Sequence, residues 1–164
     1  MTEKEFIEKF FIQEIQRLQE NDFHYFSFIL IGQAIETLGA FLDNKPFTAQ
    51  QQSKIRFGKA LNRLFPPAYK KANFNHWLYI KLRCTMAHVF IPGNGLIVLK
   101  QDDCLAHHKH LEKHNDDMVL IAEQFKADFD LACKRLFQLM DRGEIKSKKV
   151  SAFFLNFGQE QGDH

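Results

Sequence analysis

Phenylalanine and aliphatic residues return every three or four positions along this sequence, and the spacing is interrupted where proline, glycine or asparagine gather. Phe6, Ile7, Phe10, Phe11, Ile15 and Leu18 form one stripe, and Phe26, Ile29, Leu30, Ala34, Leu38 and Phe41 form another. That period belongs to an α-helix with one face turned to a core. The first forty residues are therefore expected to hold two helices, the second over about 23–42 with Asn21 or Asp22 as its N-cap. A third is expected over about 48–64, opened by Thr48 and closed by Pro66 and Pro67. A fourth, about 76–90, is apolar on most sides, through Trp77, Leu78, Ile80, Leu82, Met86, Ala87, Val89 and Phe90. Such a helix is buried by neighbours all round, or by neighbours and a second subunit.

After Pro92 the period shortens. Leu96 to Lys100 and Asp116 to Ala122 read as two β-strands of one small hairpin, with the polar run QDDCLAHHKHLEKH at its far end. Phe125, Phe129, Ala132, Leu136 and Met140 mark a last helix over about 123–142, stopped by Gly143. The fold class that follows is mainly α: a bundle of about five helices with a small β-hairpin inserted before the last long one. One domain is expected over about 1–143, with the hairpin at about 95–122, followed by a basic and then apolar tail, 144–164.

Composition narrows the function classes. A formal charge of +2 does not demand nucleic acid, so any RNA contact would need a local patch. No apolar run reaches the ~18 residues of a membrane span, and the opening MTEKEFIEKF is acidic and amphipathic, unlike a secretion leader. Cys84, Cys104 and Cys133 are odd in number and scattered, which fits reduced thiols and a cytoplasmic setting without membrane attachment. Eighteen phenylalanines stand against three tyrosines and one tryptophan, and most sit at core spacing rather than among exposed cations.

The stretch YIKLRCTMAHVFIPGNG, 79–95, places a fixed cation (Arg83) and a titratable base (His88) in an apolar helix just before a breaker. The run Arg83-Cys-Thr-Met-Ala-His88 resembles the Arg-x4–6-His signature of the HEPN superfamily, small helical-bundle proteins that include many metal-independent ribonucleases of toxin–antitoxin and antiphage defence systems. The context is similar too, with a break at Pro92, strands and a final helix behind it. The resemblance spans roughly residues 23–140. It implies RNA or a nucleotide as ligand, no cofactor, a homodimer with a composite cleft, and a neutralising antitoxin-type protein partner. The chemistry it implies is attack of a ribose 2′-hydroxyl on the adjacent phosphate. His88 would serve as general base or acid, since an imidazole titrates near ~6.5. Arg83 would take the phosphorane charge in a bidentate fork.

A five-residue step on an ideal helix turns about 140° and rises about 7.5 Å. Arg83 and His88 therefore converge only if the helix loosens, or if a second copy brings its own pair across a two-fold axis. The other reading is that both are satisfied structural groups, paired with Glu36 or with a helix-end carbonyl. Glu36 could equally orient Arg83 or His88, or sit plainly on the surface. Cys84 lies four residues before His88 on one face, as a thiol nucleophile and its base would, but the sequence offers no third orienting group. Lys54, Arg56, Lys59 and Arg63 line one side of the third helix and could steer RNA or keep that face wet. The stretch from Arg142 to Lys149 could follow a phosphate backbone, or be a solvated helix end. His108, His110, Glu112 and His114 would share one side of a strand and could hold zinc; an exposed hairpin arm is the alternative.

Overall fold

The computed structural model describes residues 1–148 and 150. Thr2 opens the first helix with a capping box: its hydroxyl accepts the Glu5 amide at 3.2 Å, and the Glu5 carboxylate accepts the Thr2 amide at 2.8 Å. Helix α1 then runs through Glu3–Ile7, a widened π-helical stretch Glu8–Gln13, and Glu14–Glu20. The extra residue taken up in the wide turn brings Ile7 and Ile15 onto one face, and both are fully buried.

Helix α2, His24–Phe41, is the hub and packs against α1 and every long helix described below. Phe23, without a side-chain hydrogen bond, caps it in place of Asn21 or Asp22. Helix α3, Ser53–Leu64, starts five residues later than Thr48 predicts. The reason is Arg56, whose guanidinium takes the carbonyls of Pro46 and Phe47 at 2.7 and 2.8 Å and so holds that segment as a turn. Helices α2 and α3 cross at Gly39, where an added Cβ would fall 2.0 Å from the Arg56 carbonyl oxygen. Only a residue without a side chain permits that approach.

Helix α3 ends at Leu64, with Phe65 extended before Pro66 and Pro67, as the sequence predicts, and Pro67 has a second role. It begins a short helix α4, Pro67–Ala72, at the position where its missing N–H is no loss. Helix α5 runs through a second π-helical stretch, Tyr79–Cys84, into Thr85–Val89. As in α1, the wide turn keeps Leu78, Leu82 and Met86 together on the buried side. Ile80 and Val89 face outward at 48% and 57% exposure, so this helix is not covered all round within one chain. Helix α6, Ala122–Asp141, ends at Gly143 as its sequence predicts, the glycine taking φ 66° and donating to Met140 O at 3.0 Å. The described residues thus form six helices.

A small three-stranded sheet is inserted before α6: β1 is Leu96–Leu99, β2 is Lys113–His114 and β3 is Asp117–Ile121, in the order β1-β3-β2. The expected pairing of β1 with β3 occurs but is parallel, with Leu96 opposite Met118 and Leu99 opposite Ile121. The hairpin is β2–β3. Its turn residues, Asn115 and Asp116, both take positive φ, 49° and 69°, the conformation two-residue hairpins prefer. Residues 100–112 make the crossover that a parallel pair requires.

The segment after α6 is not a loose end over its described length. Ile145 and Val150 pack on the core. Lys148 donates to Ala40 O, to Asp43 Oδ1 at 2.8 Å and to Lys45 O at 2.7 Å, and its backbone amide meets Glu3 Oε1 at 2.7 Å. Arg142 pairs with Glu144 at 3.6 Å. Of the basic run, Lys148 alone among the described residues holds the bundle, whereas Arg142 and Lys146 face solvent; Lys149 and the apolar patch beyond Val150 lie outside the described residues. Among the described residues, no helix is long and apolar enough to cross a membrane.

Candidate functional site

Helix α5 lies on α2 at Gly32, where an added Cβ would stand 3.6 Å from Arg83 Cα. That contact brings Arg83 over Glu36, one turn further along α2. Arg83 Nε lies 2.8 Å from Glu36 Oε2, close enough for an ion pair but angled away from a hydrogen bond. The two side chains are 18% and 21% exposed, so the pair sits at the edge of the bundle rather than in open water. Ser53, at the start of α3, donates to the other carboxylate oxygen at 2.7 Å. The guanidinium also lies 5.9 Å from the Tyr79 ring centre, one helical turn back. Burial and the neighbouring Cys84 push the Tyr79 phenol up to about 12; Arg83 pulls the other way and Glu36 adds to the rise.

His88 is on the opposite footing. It is exposed, and among the described residues no hydrogen bond or ion pair joins it to Arg83, Glu36 or Cys84. The wide turn ends at Cys84, so the step from Arg83 to His88 is made almost wholly in α conformation and keeps its large rotation. Within one chain, Arg83 turns inward to Glu36 and His88 outward. Cys84 is half-buried and free. The helix ends just past His88 at Phe90, a non-glycine residue at φ 60° whose amide donates to Met86 O at 3.0 Å. The Tyr25 hydroxyl donates to the Phe90 carbonyl and ties that end to α2. Around this junction Tyr25, Phe26, Leu30, Val89, Phe90 and Ile91 are 40–63% exposed.

The other sequence-predicted groups separate. Lys54 and Lys59 are exposed. Arg63 pairs with Glu144 at 3.7 Å. Arg56 does not line a surface: it is 3% exposed, and its Nε meets Asp43 Oδ2 at 2.7 Å. The histidine cluster is rearranged as well, because residues 101–112 form turns rather than a strand. His110 points into the bundle, while His107, His108 and His114 pack on one another with ring centres 3.9 to 6.1 Å apart. Among the described residues no three His, Cys, Asp or Glu side chains are placed to hold a metal ion. The set His108, His110 and His114 is therefore corrected.

Tyr79 and Ser53 are members of the Arg83 constellation that the sequence reading missed. Tyr79 could have been found, since it stands four residues before Arg83 on one helical face. Ser53 carries no such signal, because its role depends on how α3 meets α2. Comparison of this chain with family models, with curated proteins and with solved structures finds no match.

Proposed function

We propose that this chain is a HEPN-type helical protein that acts on RNA phosphate as a homodimer, cutting without metal. The observation that carries the reading is the division of labour on α5. Arg83 is held as a fixed cation by Glu36, and His88 is left exposed, without a partner among the described residues, one residue from the helix end. A cation held in place can meet a developing phosphorane charge without reorganising, and an exposed imidazole can exchange protons with a ribose hydroxyl. The apolar surface around Phe26 and Phe90 supports the dimer, because contiguous apolar area of this kind marks association sites. A two-fold axis there would bring two α5 ends, and so two Arg83–His88 pairs, to one cleft. A cytoplasmic toxin or antiphage role with a neutralising protein partner goes with this reading.

A second reading is favoured by one specific contact. Arg83 already has a carboxylate at 2.8 Å, so its charge is largely answered before any phosphate arrives. That arrangement suits a dimerisation or nucleotide-binding module without chemistry. The deciding experiment is RNA cleavage in EDTA by wild type, His88→Ala and Arg83→Ala, with product ends analysed. Cyclic phosphate ends from wild type, with at least ~100-fold loss in each variant, are expected for the enzyme. A folded dimer that cleaves nothing moves the assignment to the module.

A further inference from the structure

The crossover arm, residues 100–112, is fastened at its two ends by different means. At its start Lys100 pairs with Asp22 at 3.0 Å, and the Gln101 amide donates to Glu123 Oε2 at 2.9 Å. At its end the Leu111 amide donates to Val119 O at 2.7 Å, and the Val119 amide to Glu112 O at 3.1 Å. Next to that end, His110 enters the bundle with 7% of its side chain exposed.

The hydrogen bonds around this ring run in one direction. The Ile121 amide donates to His110 Nδ1 at 2.9 Å, so Nδ1 carries no proton and the neutral ring holds its proton on Nε2. Nε2 then donates to the Tyr69 hydroxyl oxygen at 2.9 Å, and the Tyr69 hydroxyl donates to Asp128 Oδ2 at 2.9 Å. A second proton on the imidazole would have to sit on Nδ1, pointing at an amide that also donates. It would also place a positive charge beside the first turn of α6, which begins at Ala122 and whose dipole is positive there.

We propose that His110 is an acid-released latch: its protonation frees the histidine-bearing arm from the bundle while the bundle stays folded. The arm supplies Lys100 and Asp103 to a cleft of about 250 Å³ whose other wall holds Asp22, His24, Tyr25 and Phe28. Releasing the latch loosens one wall of that cleft.

The charged and titratable groups facing the ring are few. Tyr69 comes from α4 and stays protonated, since burial, the Asp128 charge and the hydrogen bond to it all push the phenol up. Asp128 comes from α6, 3.7 Å from Nε2, with Arg135 acting on it from the same helix. Burial raises the Asp128 carboxyl, against the Tyr69 hydrogen bond and Arg135, so this group also takes up a proton in acid. On the arm itself, His107, His108 and His114 pack on one another outside the latch. Burial of His110 lowers its pKa from 6.5 to about 4. A base whose folded value is depressed gives full stability above the unfolded value and loses it as pH falls from 6.5 through 4. The opening constant rises by up to roughly 300-fold over that window.

The test is NMR of the full chain between pH 7 and 3.5, following the His110 ring, the Ile121 amide and the arm amides, with α2 amides as the reference. Hydrogen exchange is corrected for its own pH dependence. The expected result is a His110 ring titrating near 4, with arm exchange rising up to ~300-fold as pH falls from 6.5 to 4 and levelling below, while α2 stays protected. His110→Asn keeps an acceptor for the Ile121 amide but cannot titrate, so its arm exchange is expected to lose the step; His110→Gln is the second non-titrating variant should the first fold poorly. Asp128→Asn is expected to retain the step. The proposal is overturned if His110 titrates near 6.5 with the arm unmoved, or if arm and bundle open together. It is also overturned if the step survives removal of His110, or vanishes with Asp128 alone.

Discussion

Arg83 and Asp43 show two ways of keeping a charge at the edge of a core. Arg83 has one carboxylate partner and a ring, so removing the partner leaves the guanidinium half-covered and unanswered. Glu36→Ala is expected to cost about 2 kcal/mol in urea unfolding, with Glu36→Gln costing less because the Ser53 hydroxyl keeps its acceptor. His88→Ala should lie within about 0.5 kcal/mol of wild type, because the side chain is exposed and makes no bond among the described residues. A large stability loss at His88 would contradict its placement. Asp43 is answered three times, by Arg56 Nε at 2.7 Å, Lys148 Nζ at 2.8 Å and the Lys45 amide at 2.8 Å. Burial alone would raise its carboxyl, but these donors hold it down to about 2. An acid with a depressed folded value stabilises above its unfolded value, 3.8 here, and that contribution fades as pH falls from 3.8 through 2. Asp43→Asn should therefore be less stable than wild type by about 2 kcal/mol at pH 6, with the gap closing towards pH 2. Urea unfolding at several pH values measures it.

Between elements, two glycines on facing helices carry opposite expectations. Gly39 sits where α2 meets the α3 backbone, and a methyl group there collides with Arg56 O at 2.0 Å. Gly39→Ala should cost more than 3 kcal/mol, or fail to fold, since backbone rather than a movable side chain must give way. Gly58, inside α3, would meet only Asn73 Nδ2 at 3.7 Å. Gly58→Ala should stabilise by about 0.5–1 kcal/mol, because alanine loses less entropy in a helix. Thermal unfolding of the pair checks both signs. The same contrast explains what could be read from the sequence. The 3.6-residue period revealed the long helices, because burial of one face decides them; Gly143 revealed a stop. Periodicity did not reveal the wide turns in α1 and α5, which add a residue without disturbing the apolar composition. It could not orient β1 against β3 either, since a strand reads the same parallel or antiparallel. Arg56 looked like a surface cation because helical spacing shows which side a residue is on, not what a distant loop places against it. Arg83 and His88 were visible as a pair lying on different sides of the helix; which of them turns inward was not.

At the scale of the whole molecule, an unanswered apolar surface among the described residues lies beside His88. Tyr25, Phe26 and Leu30 come from α2, and Val89, Phe90 and Ile91 from the end of α5, joined by the Tyr25–Phe90 hydrogen bond. A patch of this kind is costly to leave in water, and its position at the end of α5 gives a second copy a reason to cover it. If a two-fold axis passes there, each α5 end meets its counterpart, and the rotation separating Arg83 from His88 in one chain is bridged between chains. Phe26→Glu and Phe90→Glu each place a charge in that contact without touching the Leu82–Met86 side of α5. Each is expected to convert a dimer into a folded monomer in light scattering, while His88→Ala remains a dimer. RNA cleavage should then fall in the monomers as far as in His88→Ala, although both site residues are intact. Monomers that still cleave would place the chemistry within one chain. A wild type that is monomeric at high concentration would remove the composite cleft and leave the apolar surface to another partner.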